Sequence, residues 1–512
     1  MSKRTRTLLI SAIALVVLGA LLAVLLLLPD ASANGDSSTT TTAAPDTTVV
    51  LVDKPDKVTV SSVTVALEKE TFTIAPDKNG DLVVKGYEDL PQSPTTYDTL
   101  SSALLSFGAY RMISDSPEHP EDFGFDEKKG GFASLNVTYS DNTSFAFELG
   151  DLSPSGEGYY LRKADSSAIY LIDTNFVYTV TAESTYYLSI APFTAPIAKE
   201  KDEEVVVRDV TMWGSVRSGE LSFQISTDVA EEGQQAQVLT GFYVTKPYLR
   251  NLKSGTNMLS SSSYYGFTAS GVVKVRPTAA DLKAYGLDNP YSACTAHVSV
   301  KKTTETKDPQ TGKSKTSISF HDTFEYTVKL GKETENGDRY AVAYHEDEMV
   351  PLLYTVTPSS LVWAETQYDD IADELLFFTY IYQVEKMTVK MDGASTTFDL
   401  THNSEAADRD DQLTVVSNGK KYPTADFRTL YTELMQITRK HPTTTKPTGE
   451  PLLSIDIVTN TSIAHTGWIK LYRHSAGQYA VLHDTGELYL VDAKDVEGFM
   501  ATYRKFLNGE NI

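Results

Sequence analysis

FELGDLSPSGEGYYL (147–161) and VKLGKETENGDRYAV (328–342) are two copies of one pattern, and this pattern decides the fold. In both, a Leu-Gly step ends an alternating apolar stretch, a second glycine follows six residues later, and a tyrosine begins the next apolar run. A phosphate-binding loop would lead into a helix whose N-terminus holds the anion, whereas a strand pattern follows here. The repeat therefore predicts a turn between two strands.

A second repeat opens three stretches of the chain. The pattern V-x-x-[VM]-T-[VM] starts at Val60, Val207 and Val384. The dipeptides Asn79-Gly80 and Asp392-Gly393 follow in the first and third stretches, and such dipeptides favour two-residue hairpin turns. Self-similarity on this scale indicates tandem modules, each of which begins with a hairpin.

Apolar residues at helical spacing predict a helix after the hairpin in the first and third modules. The first of these helices follows the cap candidates Thr95 and Thr96, and the other follows Pro423 and Thr424. Their apolar residues are Tyr97, Leu100, Leu104 and Phe107, and Phe427, Leu430, Leu434 and Ile437. A last helix is expected after Asp492, its predicted N-cap.

The first two modules share a tight turn, Phe123-Gly124-Phe125-Asp126 and Tyr285-Gly286-Leu287-Asp288. The distance from this turn to the Leu-Gly step is longer in the second module, and the extra residues fall in the Thr-rich stretch 301–322. We expect an elongated hairpin tip or a surface loop there. The third module lacks both the turn and the step.

These patterns predict an α+β fold class. An N-terminal transmembrane helix is expected to precede tandem modules of twisted antiparallel sheet, with one or two helices each. The predicted modules span 58–195, 203–378 and, in divergent form, 379–512.

The N-terminal segment predicts where the protein resides. Residues 8–28 are 21 uncharged residues, enough for a helix across a hydrocarbon layer of about 30 Å. Basic residues precede this run, so residues 1–7 are expected in the cytoplasm and the bulk of the chain outside the cell membrane. The Ser/Thr/Pro-rich stretch 29–57 predicts a flexible stalk. A cleaved signal peptide is the alternative, because Ala31-Ser32-Ala33 fits a signal peptidase site.

Charge and cysteine content exclude several classes of function. The chain has 68 acidic and 45 basic residues, and a net charge of −23 argues against nucleic acid as a partner. The single cysteine, Cys294, excludes an intramolecular disulfide and a Cys-x-x-Cys site. Its place in an alternating stretch predicts a small buried strand residue, not a nucleophile.

Catalytic and metal-binding patterns are sparse in the sequence. His474 and His483 are predicted to lie on the surface, and the stretch 77–81 resembles a calcium loop but is predicted to be a hairpin turn. The acidic run 369–374 predicts a solvated helix face. The 29 tyrosines could line a ligand groove, but most are expected to pack in the sheets. We therefore assign no catalytic residue, cofactor or metal ligand from the sequence.

The order of hairpin, helix, Gly-[Phe/Leu]-Asp turn, Leu-Gly step and returning Tyr strand resembles a bacterial domain-of-unknown-function family. Members of that family are exported single-pass proteins, often encoded beside ABC-transporter subunits of the gliding-motility auxiliary type. The resemblance covers residues 58 to about 190 best and 205–360 next. It rests on structural turns and carries over no functional residues.

The sequence thus leads us to expect a non-enzymatic, membrane-anchored extracytoplasmic protein. The resemblance implies an accessory or scaffold component of an ABC-type transport complex, or a partnership with another envelope protein. The alternative is a cell-surface receptor or adhesin that binds cell-wall glycan or peptide.

Overall fold

The computed structural model describes residues 49–126, 130–194, 196–225, 242–253, 262–307, 314–376, 379–403, 406–459 and 466–512. The predicted cytoplasmic tail (1–7), the predicted transmembrane helix (8–28) and residues 29–48 of the predicted stalk lie outside this set. Among the helices within it, none combines the length and the apolar composition needed to cross a membrane.

The first sheet has nine strands in the order β1-β5-β9-β8-β7-β6-β2-β3-β4, and its pairings from β2 onward are antiparallel. The strands are β1 (Val49–Asp53), β2 (Val60–Leu67), β3 (Thr71–Pro76), β4 (Leu82–Val84), β5 (Ser106–Ser114), β6 (Ala133–Tyr139), β7 (Ser144–Leu152), β8 (Tyr159–Lys163) and β9 (Ile169–Ile172). Two helices, α1 (Pro94–Leu105) and α2 (Thr174–Val180), accompany this sheet.

The second sheet follows the order β13-β12-β11-β10-β15-β16-β17-β19-β14, with β18 paired to β17. The strands are β10 (Glu203–Trp213), β11 (Leu221–Ile225), β12 (Phe242–Lys246), β13 (Arg250–Asn251), β14 (Gly271–Val275), β15 (Ser292–Lys307), β16 (Ser314–Glu333), β17 (Arg339–His345), β18 (Glu348–Met349) and β19 (Leu352–Val356). Its short helices are α3 (Ala279–Ala284) and α4 (Tyr368–Ile371).

The third sheet follows the order β23-β22-β21-β20-β25-β26-β27-β28-β24. The strands are β20 (Val384–Met391), β21 (Ala394–His402), β22 (Leu413–Ser417), β23 (Lys420–Tyr422), β24 (Arg439–Pro442), β25 (Leu453–Thr459), β26 (Trp468–Arg473), β27 (Gln478–His483) and β28 (Leu488–Asp492). Helices α5 (Thr424–Gln436) and α6 (Ala493–Asn508) pack on it.

One strand path recurs in all three sheets. The strand with the V-x-x-[VM]-T-[VM] motif lies between its hairpin and four later strands, and a further strand (β5, β14 or β24) lies beside the last of them. In the first sheet β1 adds one more strand beyond β5. The motif threonine meets a hydroxyl on the hairpin partner in each sheet. The pairs are Thr64 with Thr73 at 3.2 Å, Thr211 with Ser222 at 3.2 Å and Thr388 with Thr397 at 3.0 Å. The flanking apolar residues of the motif are buried in three separate cores.

The Leu-Gly step and the Gly-[Phe/Leu]-Asp turn form one unit. A Cβ atom on Gly150 would overlap the carbonyl oxygen of Phe123, and one on Gly331 would overlap that of Tyr285. The turn glycines Gly124 and Gly286 have φ values of +83° and +73°, which favour glycine. Because turn and step pack against each other, the third module can lack both only together.

The predicted α+β fold class is wrong. The described chain is mostly antiparallel β-sheet, and the helices within it are few and short in the second module. In the stretch 301–322, β15 and β16 pair as far as Lys307 and Ser314, in agreement with the elongated hairpin that was one of the two expectations there. Its threonines are β-branched and fit an extended conformation better than a helix. The transmembrane helix included in that prediction is not among the described elements.

The predicted helix ends need correction. Helix α1 begins at Pro94 with Ser93 as its N-cap, so Thr95 and Thr96 lie inside the helix and Phe107 lies in β5. Proline suits the first helical position because its φ is already helical and its missing N–H has no partner there. Asp492 does occupy the N-cap of α6, but its carboxylate makes no capping hydrogen bond.

Each module begins with an entry segment ahead of its motif strand. In the first module this segment is β1, so the stalk predicted for 29–57 is wrong at residues 49–53. Val52 is buried in the first core, Leu188 in the second and Leu376 in the third. These segments precede the predicted module starts at 58, 203 and 379, and those boundaries remain predictions.

We expect Gly150→Ala and Gly331→Ala each to lower the free energy of unfolding by about 1–3 kcal/mol, because the added methyl group meets a backbone carbonyl that cannot move freely. Urea unfolding followed by circular dichroism measures this. Gly219→Ala is the matched control, since a Cβ there would have no atom within 4 Å. Equal effects of all three substitutions would contradict the proposed packing.

Candidate functional site

Consecutive modules meet at two places that share the same backbone hydrogen bonds. We name them the first joint (90–93, 183–190 and 269–272) and the second joint (250–253, 367–376 and 437–439). In the first joint the bonds run from Ser93 N to Tyr187 O, from Ser189 N to Pro91 O and from Ala269 N to Ile190 O. In the second joint they run from Lys253 N to Ile371 O, from Asp373 N to Asn251 O and from Arg439 N to Glu374 O. Residues 90–93 thus correspond to 250–253, 183–190 to 367–374, and Ala269 to Arg439.

Buried charges fill the second joint. Glu487, in the turn between β27 and β28, accepts from Arg250 Nε at 2.8 Å on one carboxylate oxygen. Its other oxygen accepts from Arg439 Nη1 at 3.1 Å and from the Tyr368 hydroxyl at 3.1 Å. Arg439 Nη1 also lies 2.8 Å from Asp369 Oδ1. The side chains of Arg250, Glu487 and Arg439 are 0%, 4% and 6% exposed.

This network anchors the third module to the second. Arg250 comes from β13 of the second sheet, whereas Glu487 and Arg439 belong to the third. Burial and the Glu487 charge raise the pKa of the Tyr368 hydroxyl, so it stays protonated and donates to the carboxylate. With both oxygens of Glu487 bonded and buried, the group holds modules together and has no room to act on a substrate.

The acidic run 369–374 belongs to the second joint. Lys253 Nζ lies 2.6 Å from Glu374 Oε1, and Asp369 pairs with Arg439. The prediction of a solvated helix face holds only in part: Asp369, Asp370 and Glu374 are exposed, but the helix is the single turn α4, and Asp369 and Glu374 are paired with cations. Burial raises the pKa of Asp373 in the same run.

The first joint carries uncharged residues at the corresponding positions. Leu90 stands where the second joint has Arg250, and Ala269 stands where it has Arg439. Both are buried in the second core. Ser93 and Ile190 correspond to the ion pair Lys253–Glu374, and Thr185 corresponds to Asp369. At these positions the first joint is held by apolar packing and backbone bonds, and its ion pair, Arg276 with Asp89, is a partly exposed one at the margin of the joint.

A groove of about 510 Å³ runs along the first joint. Its lining combines the first turn of α1, the segment 182–190 and the start of β14. A second depression of about 220 Å³ shares Thr95, Thr96 and Tyr186 with it. Hydroxyl side chains dominate the lining, and Glu183 is its one charged residue among those described. This groove is the candidate binding site of the chain.

Tyr186 is the large aromatic side chain of the groove. It is 62% exposed, whereas its neighbour Tyr187 is fully buried. The two rings meet edge to face, with centroids 6.0 Å apart and planes at 86°. Tyr187 in turn packs on Tyr97 with centroids 5.1 Å apart. A rigid buried ring therefore orients an exposed one toward a potential ligand.

A histidine lies between two carboxylates on the second sheet. His297 Nδ1 is 2.6 Å from Asp209 Oδ1, and its Nε2 is 3.2 Å from Glu325 Oε2. The three residues are direct neighbours on β10, β15 and β16. Burial acts to lower the pKa of His297, but its hydrogen bonds and the charges of Asp209 and Glu325 outweigh burial and raise the pKa above its ordinary value.

The other residues that the sequence analysis considered for chemistry have structural roles. Cys294 is buried in β15, and burial raises the pKa of its thiol, so it is not a nucleophile. Asp77 accepts from the backbone of Asn79 and Asp81 within the hairpin turn, as predicted. His483 is buried and bonded to the Thr466 hydroxyl, so its predicted surface location is wrong. Within the described ranges, no group of three or more His, Cys, Asp or Glu side chains could hold a metal ion.

The joints escaped the sequence analysis. Arg250, Arg439 and Glu487 stand in unremarkable stretches, and their meeting depends on contacts between distant parts of the chain. The groove residues are common hydroxyl residues at a helix start. A signal existed only in the repeat, because aligning the joints would have shown charged residues in one and uncharged residues in the other.

The fold and the joints define a tandem array of three β-sheet modules with an open groove at the first joint. A further depression of about 630 Å³ lies on the second module between Gly337 and the segment 357–370. A family model described as "Domain of unknown function (DUF4340)" matches residues 83–213. The matched range begins in β4 and ends with β10. It includes the two segments of the first joint that belong to the first module, 90–93 and 183–190. It confirms the resemblance to a domain-of-unknown-function family. No curated protein and no solved structure matches the chain.

We expect Glu487→Gln to lower the free energy of unfolding by about 3–5 kcal/mol, because it leaves two buried arginines without their shared carboxylate. Urea denaturation of purified protein measures the change. Glu157→Gln is the matched control, since its pair with Arg111 is about half exposed and should change stability little. Similar losses in both variants would contradict an anchoring role for the network.

We also expect the His297 contribution to stability to depend on pH. The pKa in the folded protein lies above the ordinary value of 6.5, so the protonated form is favoured by folding. The stabilisation is complete below about 6.5 and is lost as the pH rises through the folded-state pKa. His297→Asn should therefore lower the free energy of unfolding by more at about pH 5.5 than at about pH 8.5, as measured in paired urea titrations. A cost that is the same at both pH values would contradict this assignment.

Proposed function

We propose that this chain is a non-enzymatic extracytoplasmic protein of the cell membrane that acts as an accessory or scaffold component, specifically of an ABC-type transport complex. The observation that carries the proposal is the second joint, where the most extensive buried polar network of the described chain fixes one module against the next. A scaffold needs a fixed spacing between its contact surfaces. Such a network supplies that spacing.

The use made of buried charge supports a scaffold over an enzyme. A catalytic carboxylate must contact the substrate, and its pKa must match its task. Both carboxylate oxygens of Glu487 instead accept hydrogen bonds, from Arg250, Arg439 and Tyr368. The Asp209–His297–Glu325 row lies on the open face of a sheet and not in a cleft.

The location and the partner class rest on the sequence. The uncharged run 8–28 with basic residues before it supports export of the chain and retention at the membrane. The link to a transport complex comes from the family resemblance. The excess of acidic residues supports a protein partner and disfavours nucleic acid.

Co-purification tests this proposal. A tagged chain extracted from membranes in a mild detergent should migrate with other membrane proteins in a complex that survives size exclusion. Protease added to intact cells stripped of their outer layers should digest the folded modules. Glu487→Gln should reduce recovery of the partner, whereas Glu157→Gln should not. Recovery of the chain only as an isolated monomer would contradict the proposal.

The second candidate function is a receptor or adhesin for cell-wall glycan or peptide. The groove at the first joint favours it, since it pairs an oriented exposed tyrosine with a hydroxyl-rich wall. The two candidates differ in the surface that matters. A scaffold depends on the second joint, and a receptor depends on the groove.

A further inference from the structure

The two joints provide an internal comparison for the groove. They share three backbone hydrogen bonds, so the same positions can be compared side chain by side chain. In the second joint, Lys253 and Glu374 form an ion pair across the joint at 2.6 Å. The corresponding residues of the first joint are Ser93 and Ile190, and both line the groove. The short, uncharged side chains of the first joint therefore leave a gap at the position that a salt bridge spans in the second joint.

A second pair of positions shows the same difference. Arg439 and Asp369 meet at 2.8 Å in the second joint. Their counterparts are Ala269, which is buried, and Thr185, which lines the groove. Ala269 packs in the second core and does not line the groove, so at this pair of positions only Thr185, in place of Asp369, borders the groove. The groove therefore lies beside positions where the second joint has paired charges and the first joint has uncharged side chains.

The lining determines which ligands the groove can hold. No lysine or arginine is among its residues, so an anionic ligand would find no counter-charge. Ser93, Thr95, Thr96, Thr185 and Ser270 present hydroxyl groups that both donate and accept hydrogen bonds. Leu188, Ile190 and Val272 supply apolar surface between them. This combination suits a neutral ligand that itself carries many hydroxyl groups on an apolar ring.

Tyr186 supplies the flat surface that such a ring needs. Its ring is 62% exposed and stands where the groove and the smaller depression meet. A sugar ring presents C–H groups on its faces and hydroxyl groups at its edge, so it can stack on a tyrosine while its hydroxyls reach the threonines. The groove volume of about 510 Å³ lies in the range of ligand sites, and the smaller depression of about 220 Å³ adjoins it.

An extended peptide fits the groove less well. A peptide would add to the free edge of β14, but the start of that edge is already used, because Ala269 N donates to Ile190 O. The tight packing of the segment 184–187 beside Gly271 and Val272 leaves a wall there instead of an open edge.

We propose that the groove at the first joint binds a neutral oligosaccharide, with Tyr186 as the stacking platform and the surrounding hydroxyls as hydrogen-bonding partners. This inference rests on the receptor candidate and is independent of the scaffold proposal. The site would hold a short oligosaccharide that extends from the groove past Tyr186 into the depression.

Calorimetric titration of the full-length protein with chito-tetraose, a neutral oligosaccharide, tests the proposal. The detergent must lack a sugar headgroup, since a glycoside would compete for the groove. We expect saturable binding that Tyr186→Ala weakens by about tenfold or more. The double variant Ser93→Lys/Ile190→Glu, which transfers the ion pair of the second joint, should abolish binding. Tyr178→Ala is the matched control, because Tyr178 is equally exposed at 62% and lies outside the lining, and it should bind as the parent does.

Several outcomes would overturn the proposal. They are the absence of saturable binding by chito-tetraose and by a neutral glucose tetramer, an equal loss in the Tyr178→Ala and Tyr186→Ala variants, and binding in this groove of an uncharged peptide in place of both sugars. Should the double variant fail to fold, the Tyr186→Ala and Tyr178→Ala pair decides alone. Loss of partner recovery in the co-purification assay leaves this result unaffected, so the two proposals fail separately.

Discussion

The structure depends on one constraint: the segment that links consecutive modules must satisfy its backbone hydrogen bonds on both sides. Ser189 in the first joint and Asp373 in the second bond the segment to the module that it leaves. Ile190 and Glu374 bond it to the module that it enters. Unpaired backbone groups in such a buried place would each cost free energy. Because both joints obey this constraint in the same way, a flexible linker is replaced by a shared structural element. Apolar side chains of these segments, Leu188 and Leu376, then complete the cores of the modules they enter.

The same backbone arrangement carries two kinds of side chains, and this difference links the fold to function. In the second joint, arginines and carboxylates close the space and make the connection sensitive to any change in charge. In the first joint, Leu90 and Ala269 are buried and the outer positions are uncharged, so the connection persists while a groove stays open beside Tyr186. In the functions we propose, the second joint fixes the spacing of the modules, and the first joint also carries the groove. The family match covers the segments 90–93 and 183–190 of the first joint and no segment of the second.

The sequence predicted those features that depend on neighbours along the chain. Asn79-Gly80 and Asp392-Gly393 form the hairpin turns, and the Leu-Gly steps are structural turns because Phe123 and Tyr285 approach them closely. The helix residues Leu100, Leu104, Phe427 and Leu430 are buried as expected. The balance of sheet and helix was missed, since the second module has only the short helices α3 and α4 among its described residues beside a ten-stranded sheet. The joints and the groove could not be predicted, because Arg250 and Glu487 are 237 positions apart and their contact depends on how complete modules dock.

Native-state hydrogen exchange of the backbone amides at both joints tests this account most directly. The amides of Ser93 and Ser189, and of Lys253 and Asp373, form the bonds between each linking segment and the module it leaves, and the amides of Ala269 and Arg439 donate the bonds to the module it enters. The account predicts that they exchange as slowly as amides in the middle of the neighbouring sheets, because opening a joint would expose core residues of the module it enters. Fast exchange at these six amides, with the sheet centres still protected, would show that the modules are joined loosely and would contradict the account.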